Sequence, residues 1–242
     1  MKQIIQIFII GLLGFSMIGC HGCKEPVVDP CEGVEEVTAD FKMEYSMGYN
    51  EDERWFDADT VLEITRVRFS AEGNYDSIKW KVGLDPREFV EKKFSLRFDD
   101  SGSVQVRMIA YRAPNVSCFP DDDGVDTLIK QLVIVPDSMS LVLGVFEGYF
   151  LSEPDSLFTM EIRQLNDVTW TPEFPKGCVK DPYFQGGMWS AYRRLFSRGE
   201  SGHCQGAMPY LWGVYEKDTL KIEYKYLISS EKYEDTFIGI KK

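Results

Sequence analysis

Along most of this 242-residue chain the apolar side chains fall on alternate positions, and that period of two limits the possible folds more than any other feature. Successive side chains of a strand point to opposite faces, so alternation marks strands with one buried and one wet face. Phe41, Met43 and Tyr45 alternate, as do Val67, Phe69 and Ala71, then Ile78, Trp80 and Val82. Phe94, Leu96 and Phe98 are followed by Asp99-Asp100-Ser101-Gly102 and by Val104, Val106, Met108 and Ala110, which predicts a hairpin closed by a glycine-containing turn. Leu128 to Val135 reads as a last strand of this series, stopped by Pro136, which has no N–H to give a ladder. About seven short strands separated by turns predict a β-sandwich.

After a short joint, Asp137 to Ser140, a second series begins. Leu143 to Leu151 leads through Ser152-Glu153-Pro154-Asp155 into Phe158, Met160 and Ile162. Later come Tyr210 to Glu216, the Lys217-Asp218 turn, Leu220, Ile222, Tyr224 and Tyr226, and finally Thr236 to Ile240. Short antiparallel strands in sequence predict a small barrel or sandwich.

The N-terminus has a different order. One lysine, Lys2, precedes an almost unbroken apolar run from Ile4 to Ile18, which is the pattern of a secretory signal. A membrane-spanning helix needs ~20 apolar residues, and this run is shorter and ends in Met17-Ile18-Gly19-Cys20. Those four residues resemble the lipobox of bacterial lipoproteins, in which the signal is cut before a cysteine that then carries the lipid. The resemblance implies a signal peptide over 1–19, lipidation of Cys20, and a chain held to the membrane by that lipid. Several acyl chains together anchor durably, at ~0.8 kcal/mol per buried methylene. His21 to Glu36 contains Pro26, Pro30, acidic residues and few large apolar groups, and reads as an acidic tether over 20–36. The expected location is the outer membrane, with the cell surface slightly favoured over the periplasmic face, because acidic residues soon after the lipidated cysteine resemble surface-export signals and Lys24-Glu25-Pro26 supplies one carboxylate there.

The net charge of -12 argues against nucleic acid as a partner. Six cysteines in an exported chain point to disulfides rather than thiolate metal sites, and lipidation of Cys20 leaves an odd number. Cys178 and Cys204, on either side of a loop-rich stretch, are the first expected pair; Cys31 and Cys118 come next, and Cys23 is left over.

Tyr75 to Gly83 with its central Trp80, then Phe94 to Phe98, then Asp100-Ser101-Gly102-Ser103-Val104-Gln105-Val106 and a closing apolar strand resemble a PKD (polycystic-kidney-disease) domain over 37–136. After the tryptophan, Lys81-Val82-Gly83-Leu84-Asp85 keeps the glycine of that family's motif and a displaced aspartate. The resemblance implies an immunoglobulin-like spacer or binding platform. Gly144-Val145-Phe146-Glu147-Gly148-Tyr149 looks loosely like the first strand of lipocalin-like barrels, and by itself leaves a filled and a hollow barrel equally open. The expected class is therefore all-β: an immunoglobulin-like β-sandwich followed, over 141–242, by a small antiparallel β-barrel or β-sandwich.

Trp80 reads as a core anchor between sheets. The acidic run Asp121-Asp122-Asp123 reads as a solvated loop, because adjacent side chains seldom converge on one ion, and no metal site is expected. Thr171 to Met208 is long for a loop and rich in aromatic residues. Long loops on rigid strands carry recognition residues, and Tyr or Trp faces stack on sugar rings. Tyr183, Trp189 and Tyr192, with Arg193, Arg194 and Arg198 for an anionic group such as a uronic acid or phosphate, are the candidate ligand-binding residues. The alternative is that these aromatics fill a core and the arginines pair with local carboxylates. With only His21 and His203 in the chain and no phosphate-cradling loop, neither enzyme activity nor a cofactor is expected. The expected partner is a polysaccharide bound by the C-terminal module; the alternative is an accessory subunit holding a protein of an outer-membrane assembly.

Overall fold

The computed structural model describes residues 29–48, 53–165, 168–170, 188–198, 210–228 and 231–242, and these are all-β apart from turns and a single 3-10 turn, Asp137–Met139. The 1–19 segment, Cys20, Cys23, Cys178, Tyr183 and Cys204 lie outside the described residues.

The first eight strands are β1 (Asp40–Met47), β2 (Arg54–Asp57), β3 (Thr60–Leu62), β4 (Arg66–Glu72), β5 (Ser77–Val82), β6 (Lys93–Arg97), β7 (Gly102–Tyr111) and β8 (Val125–Val135). They form two four-stranded sheets, ordered β2-β1-β4-β6 and β3-β8-β7-β5. Inward-facing residues of both sheets meet in one core, where Phe41, Phe69, Val106, Met108 and Leu132 are wholly buried. Trp80 is 1% exposed, meets the Phe41 ring edge-on at 5.1 Å, and donates its indole N–H to the Glu91 carbonyl at 3.1 Å. A ring of that size filling the gap between sheets contributes more buried apolar area than any neighbour.

The expected hairpin between β6 and β7 is not formed. β6 pairs with β4, in register Phe69↔Phe94, while β7 pairs with β5 and β8 in the other sheet. Asp99 to Ser101 is therefore an arch that crosses from sheet to sheet. Both ladder edges of β7 are already occupied, and Phe94 stacks between Phe69 at 5.0 Å and Phe89 at 4.3 Å, contacts that hold β6 on the opposite layer.

A disulfide joins Cys31 to Cys118, the second of the two expected pairs. It ties the segment preceding β1 to the loop that precedes β8. The chain leaves β8 at its other end, after Val135. The 11 residues of β8, at ~3.3 Å each, put roughly 35 Å between these two ends.

The second series comprises β9 (Gly144–Phe150), β10 (Glu153–Leu165), β11 (Val168–Trp170), β12 (Met188–Ser190), β13 (Arg194–Arg198), β14 (Tyr210–Glu216), β15 (Thr219–Ile228) and β16 (Glu231–Lys241). Each pairs with the next, and β16 pairs back onto β9, which closes the ring; β11 and β12 meet at the single pair Thr169↔Met188. Among the described residues, Phe146, Phe150, Met160, Ile162, Leu195, Leu220, Ile222 and Phe237 are buried together inside the ring. Where the ring closes, Gly148 lies opposite Gly239, and a Cβ on Gly148 would overlap the Ile238 carbonyl and the Gly239 backbone. Two residues with positive φ, Lys217 and Asp218, make the tight turn between β14 and β15.

Candidate functional site

The two β units are packed against each other through a seam of aromatic and arginine side chains. On β13 and β14 one set of residues, Leu195 and Leu211, points into the barrel, while the alternate set, Phe196 and Trp212, joins the sandwich core. Phe56 of β2 packs against Tyr45 at 5.7 Å and against Trp212 at 6.0 Å, and Trp212 lies 4.6 Å from Phe196. The Arg194 guanidinium lies 3.9 Å over the Phe56 ring and that of Arg54 lies 4.5 Å over Trp212, so each unit sends an arginine onto an aromatic ring of the other. Arg54 also donates to the Tyr210 hydroxyl at 3.2 Å.

The joint between the units reinforces this seam. Ser140 is buried, and its hydroxyl donates to the Ala191 carbonyl at 2.9 Å; the Leu141 N–H donates to the Tyr192 carbonyl at 2.8 Å. Both bonds hold the turn Ala191 to Arg193, which connects β12 to β13, against the end of the sandwich.

Beside that turn is a cleft of about 200 Å³ lined by Tyr45, Asp57, Asp59 and Thr60 from the sandwich and by Tyr192, Arg193, Arg194 and Glu216 from the barrel. Three of the residues expected to bind ligand, Tyr192, Arg193 and Arg194, are thus brought together. Tyr192 and Arg194 are half-buried and Arg193 is exposed. Trp189 belongs to β12 with its backbone opposite Phe196, and its side chain lies outside the described residues, as does that of Arg198. Burial pushes the Tyr45 hydroxyl above the usual tyrosine range, opposed by the positive charge of the nearby Arg194. Tyr45 is therefore a neutral hydroxyl at physiological pH.

The charges of the seam are unevenly satisfied. Elsewhere Arg68 pairs with Glu44 at 2.7 Å and Arg87 with Asp85 at 2.6 Å, and the latter contact holds the Asp85 carboxyl at about 2. Among the described residues, no carboxylate forms an ion pair with Arg54, Arg193 or Arg194. The suggestion that local carboxylates neutralise Arg193 and Arg194 is thus not what the described contacts show. The Trp212 indole N–H is buried with no acceptor, a state that costs about 1–3 kcal/mol.

Sequence reasoning missed the sandwich half of this site, Asp57, Asp59, Arg54 and Phe56, and it missed Trp212. One signal was present: Tyr210-Leu211-Trp212 and Val214-Tyr215 break the alternation with a nearly continuous apolar run, which marks a strand buried on both faces. Comparisons with protein-family models, with curated proteins and with solved structures found no match.

Proposed function

We propose that this chain is a non-catalytic, lipid-anchored outer-membrane lipoprotein that binds a glycan in the cleft between its two β units. The observation that carries the reading is the convergence of Tyr192, Arg193 and Arg194 with Asp57, Asp59 and Glu216 in one small cleft lined by charged and aromatic residues. Carboxylates accept hydrogen bonds from sugar hydroxyls, guanidinium groups donate to ring and hydroxyl oxygens, and a tyrosine face stacks on a sugar ring. A volume of about 200 Å³ lies below the ~300–1,000 Å³ usual for drug-sized ligands, which suits one sugar ring or the end of a chain.

Anchoring through Cys20 supplies the orientation. The Cys31–Cys118 disulfide fixes the tether at one end of β8, and the cleft lies at the other, where Thr60 of β3 pairs with Val133. The PKD-like sandwich then serves as a spacer that presents the cleft away from the lipid, and the cell surface is the face where such a spacer reaches polysaccharide.

The test is a glycan array and polysaccharide pull-down with the full chain in a non-ionic detergent, beside Tyr192→Ala and Arg193→Ala. Binding that falls at least roughly tenfold in each variant, the effect of losing one charge-assisted or stacking contact, is the expected result. A second reading, an accessory subunit that holds a protein partner, draws on a groove of about 560 Å³ outside the barrel, where Leu157 is 76% and Ile240 62% exposed. Absence of glycan binding, together with a partner crosslinked on cells through Leu157, would replace the first reading by the second.

A further inference from the structure

Arg194 has a pocket on each side. The cleft described above lies on one; on the other is a second pocket of about 180 Å³, lined by Arg54, Phe56, Arg194, Trp212, Val214, Lys221 and Glu223. The two share Arg194 and Val214 and so are adjacent. Their charges differ. The cleft has three carboxylates facing two guanidinium groups, whereas the second pocket has three cations and one carboxylate, Glu223, which is engaged by Lys221 at 2.5 Å.

We propose that this second pocket seats the carboxylate or sulfate group of an acidic saccharide whose sugar ring occupies the neighbouring cleft, an inference that rests on the glycan reading above. Two guanidinium groups without an ion-pair partner in a chain of net charge -12 are a local exception to an otherwise acidic surface. Arg54 lies over the Trp212 ring and Arg194 over the Phe56 ring, contacts that hold both guanidinium groups at the pocket, and a guanidinium offers the paired N–H donors that match the two oxygens of a carboxylate. Arg54 spends one donor on the Tyr210 hydroxyl, a contact that orients it without neutralising it, and Arg194 lies near the Tyr45 hydroxyl, which carries no charge. The lining is therefore rich in donors and short of acceptors, which an oxyanion complements and a neutral hydroxyl does not.

The experiment titrates the full chain, in a detergent with a neutral, sugar-free head group, with trigalacturonate, with its fully methyl-esterified form, and with a neutral trisaccharide bearing one sulfate ester. Calorimetry is run on wild type, Arg54→Gln and Lys221→Gln. The acid is expected to bind at least roughly tenfold more tightly than the ester at low salt, with each variant losing about tenfold for the acid and nothing for the ester. Comparison of acid with sulfate ester tells which oxyanion the pocket prefers. Lys221 is exposed on the outer face of β15, so its variant reports on charge even if Arg54→Gln loosens the seam. Equal binding of acid and ester would overturn the inference and leave the glycan reading standing. Preference for the acid that both variants retain would also overturn it, by placing the anion elsewhere. Binding of none of the three saccharides would overturn this inference, and absence of binding across the glycan array as well would remove the glycan reading with it.

Discussion

In β5 of the sandwich Ile78, Trp80 and Val82 are buried while Lys79 and Lys81 are exposed, whereas in β14 of the barrel Leu211, Trp212, Gly213 and Tyr215 are all buried. The first strand has one core to face. The second has two, the barrel interior through Leu211 and the sandwich through Trp212. Burial on both faces of a strand in an antiparallel unit is thus the mark of an interface, and here the interface is also where the unpaired arginines and the candidate cleft are found.

That contrast can be broken at its strongest point. Trp212→Ala and Phe237→Ala each remove a large buried ring and are expected to cost ~3–5 kcal/mol. Phe237 lies wholly inside the barrel, so its variant should lower the stability of that unit alone. Loss of Trp212 should uncouple the units, and calorimetric unfolding of the variant should resolve into two transitions where wild type shows one. A cost below ~1 kcal/mol with one transition retained would mean that the seam does not couple them.

A smaller effect is expected where the ring closes. Gly148→Ala forces β9 away from β16, at a cost of ~1–3 kcal/mol typical of overpacking. Hydrogen exchange should quicken at the amides of Gly148 and Gly239 and stay unchanged on β5 and β7 of the sandwich. Protection that is unchanged at both sites would argue against close backbone contact at Gly148.

The smallest expected effect is on pH dependence. The folded chain holds the Tyr45 proton above the usual tyrosine value. As pH rises past ~10 the unfolded chain releases this proton first, so stability is full below that pH and falls as pH climbs through the folded value. Tyr45→Phe should make the decline between pH 9 and 11 shallower in denaturant titrations, since phenylalanine has no proton to lose. A slope identical to wild type would show that Tyr45 is not desolvated by the seam.

Of the site, Tyr192, Arg193 and Arg194 were legible because they are consecutive residues of one unusual composition in an acidic chain. Asp57, Asp59 and Arg54 were not, because nothing local separates them from other surface charges; their significance comes from facing β13 and β14 across more than 130 positions of sequence. Trp212 could have been found from the run Tyr210 to Tyr215, which departs from alternation. The arch between β6 and β7 was misread as a hairpin for a related reason. Period two tells which face of a strand is buried but not which strand lies beside it, and a glycine-containing turn serves an arch as well as a hairpin.

By itself, then, the sequence determined that the chain is all-β and which side chains of most strands are buried, since alternation is a property of the extended backbone and needs no knowledge of its neighbours. Only the tertiary structure decided that β16 returns to β9, that β6 and β7 belong to different sheets, and that the outer face of β13 and β14 is covered by β2. Those outcomes depend on contacts between residues far apart in the chain, where complementary shape and the number of free ladder edges select one pairing among several that the local pattern permits equally.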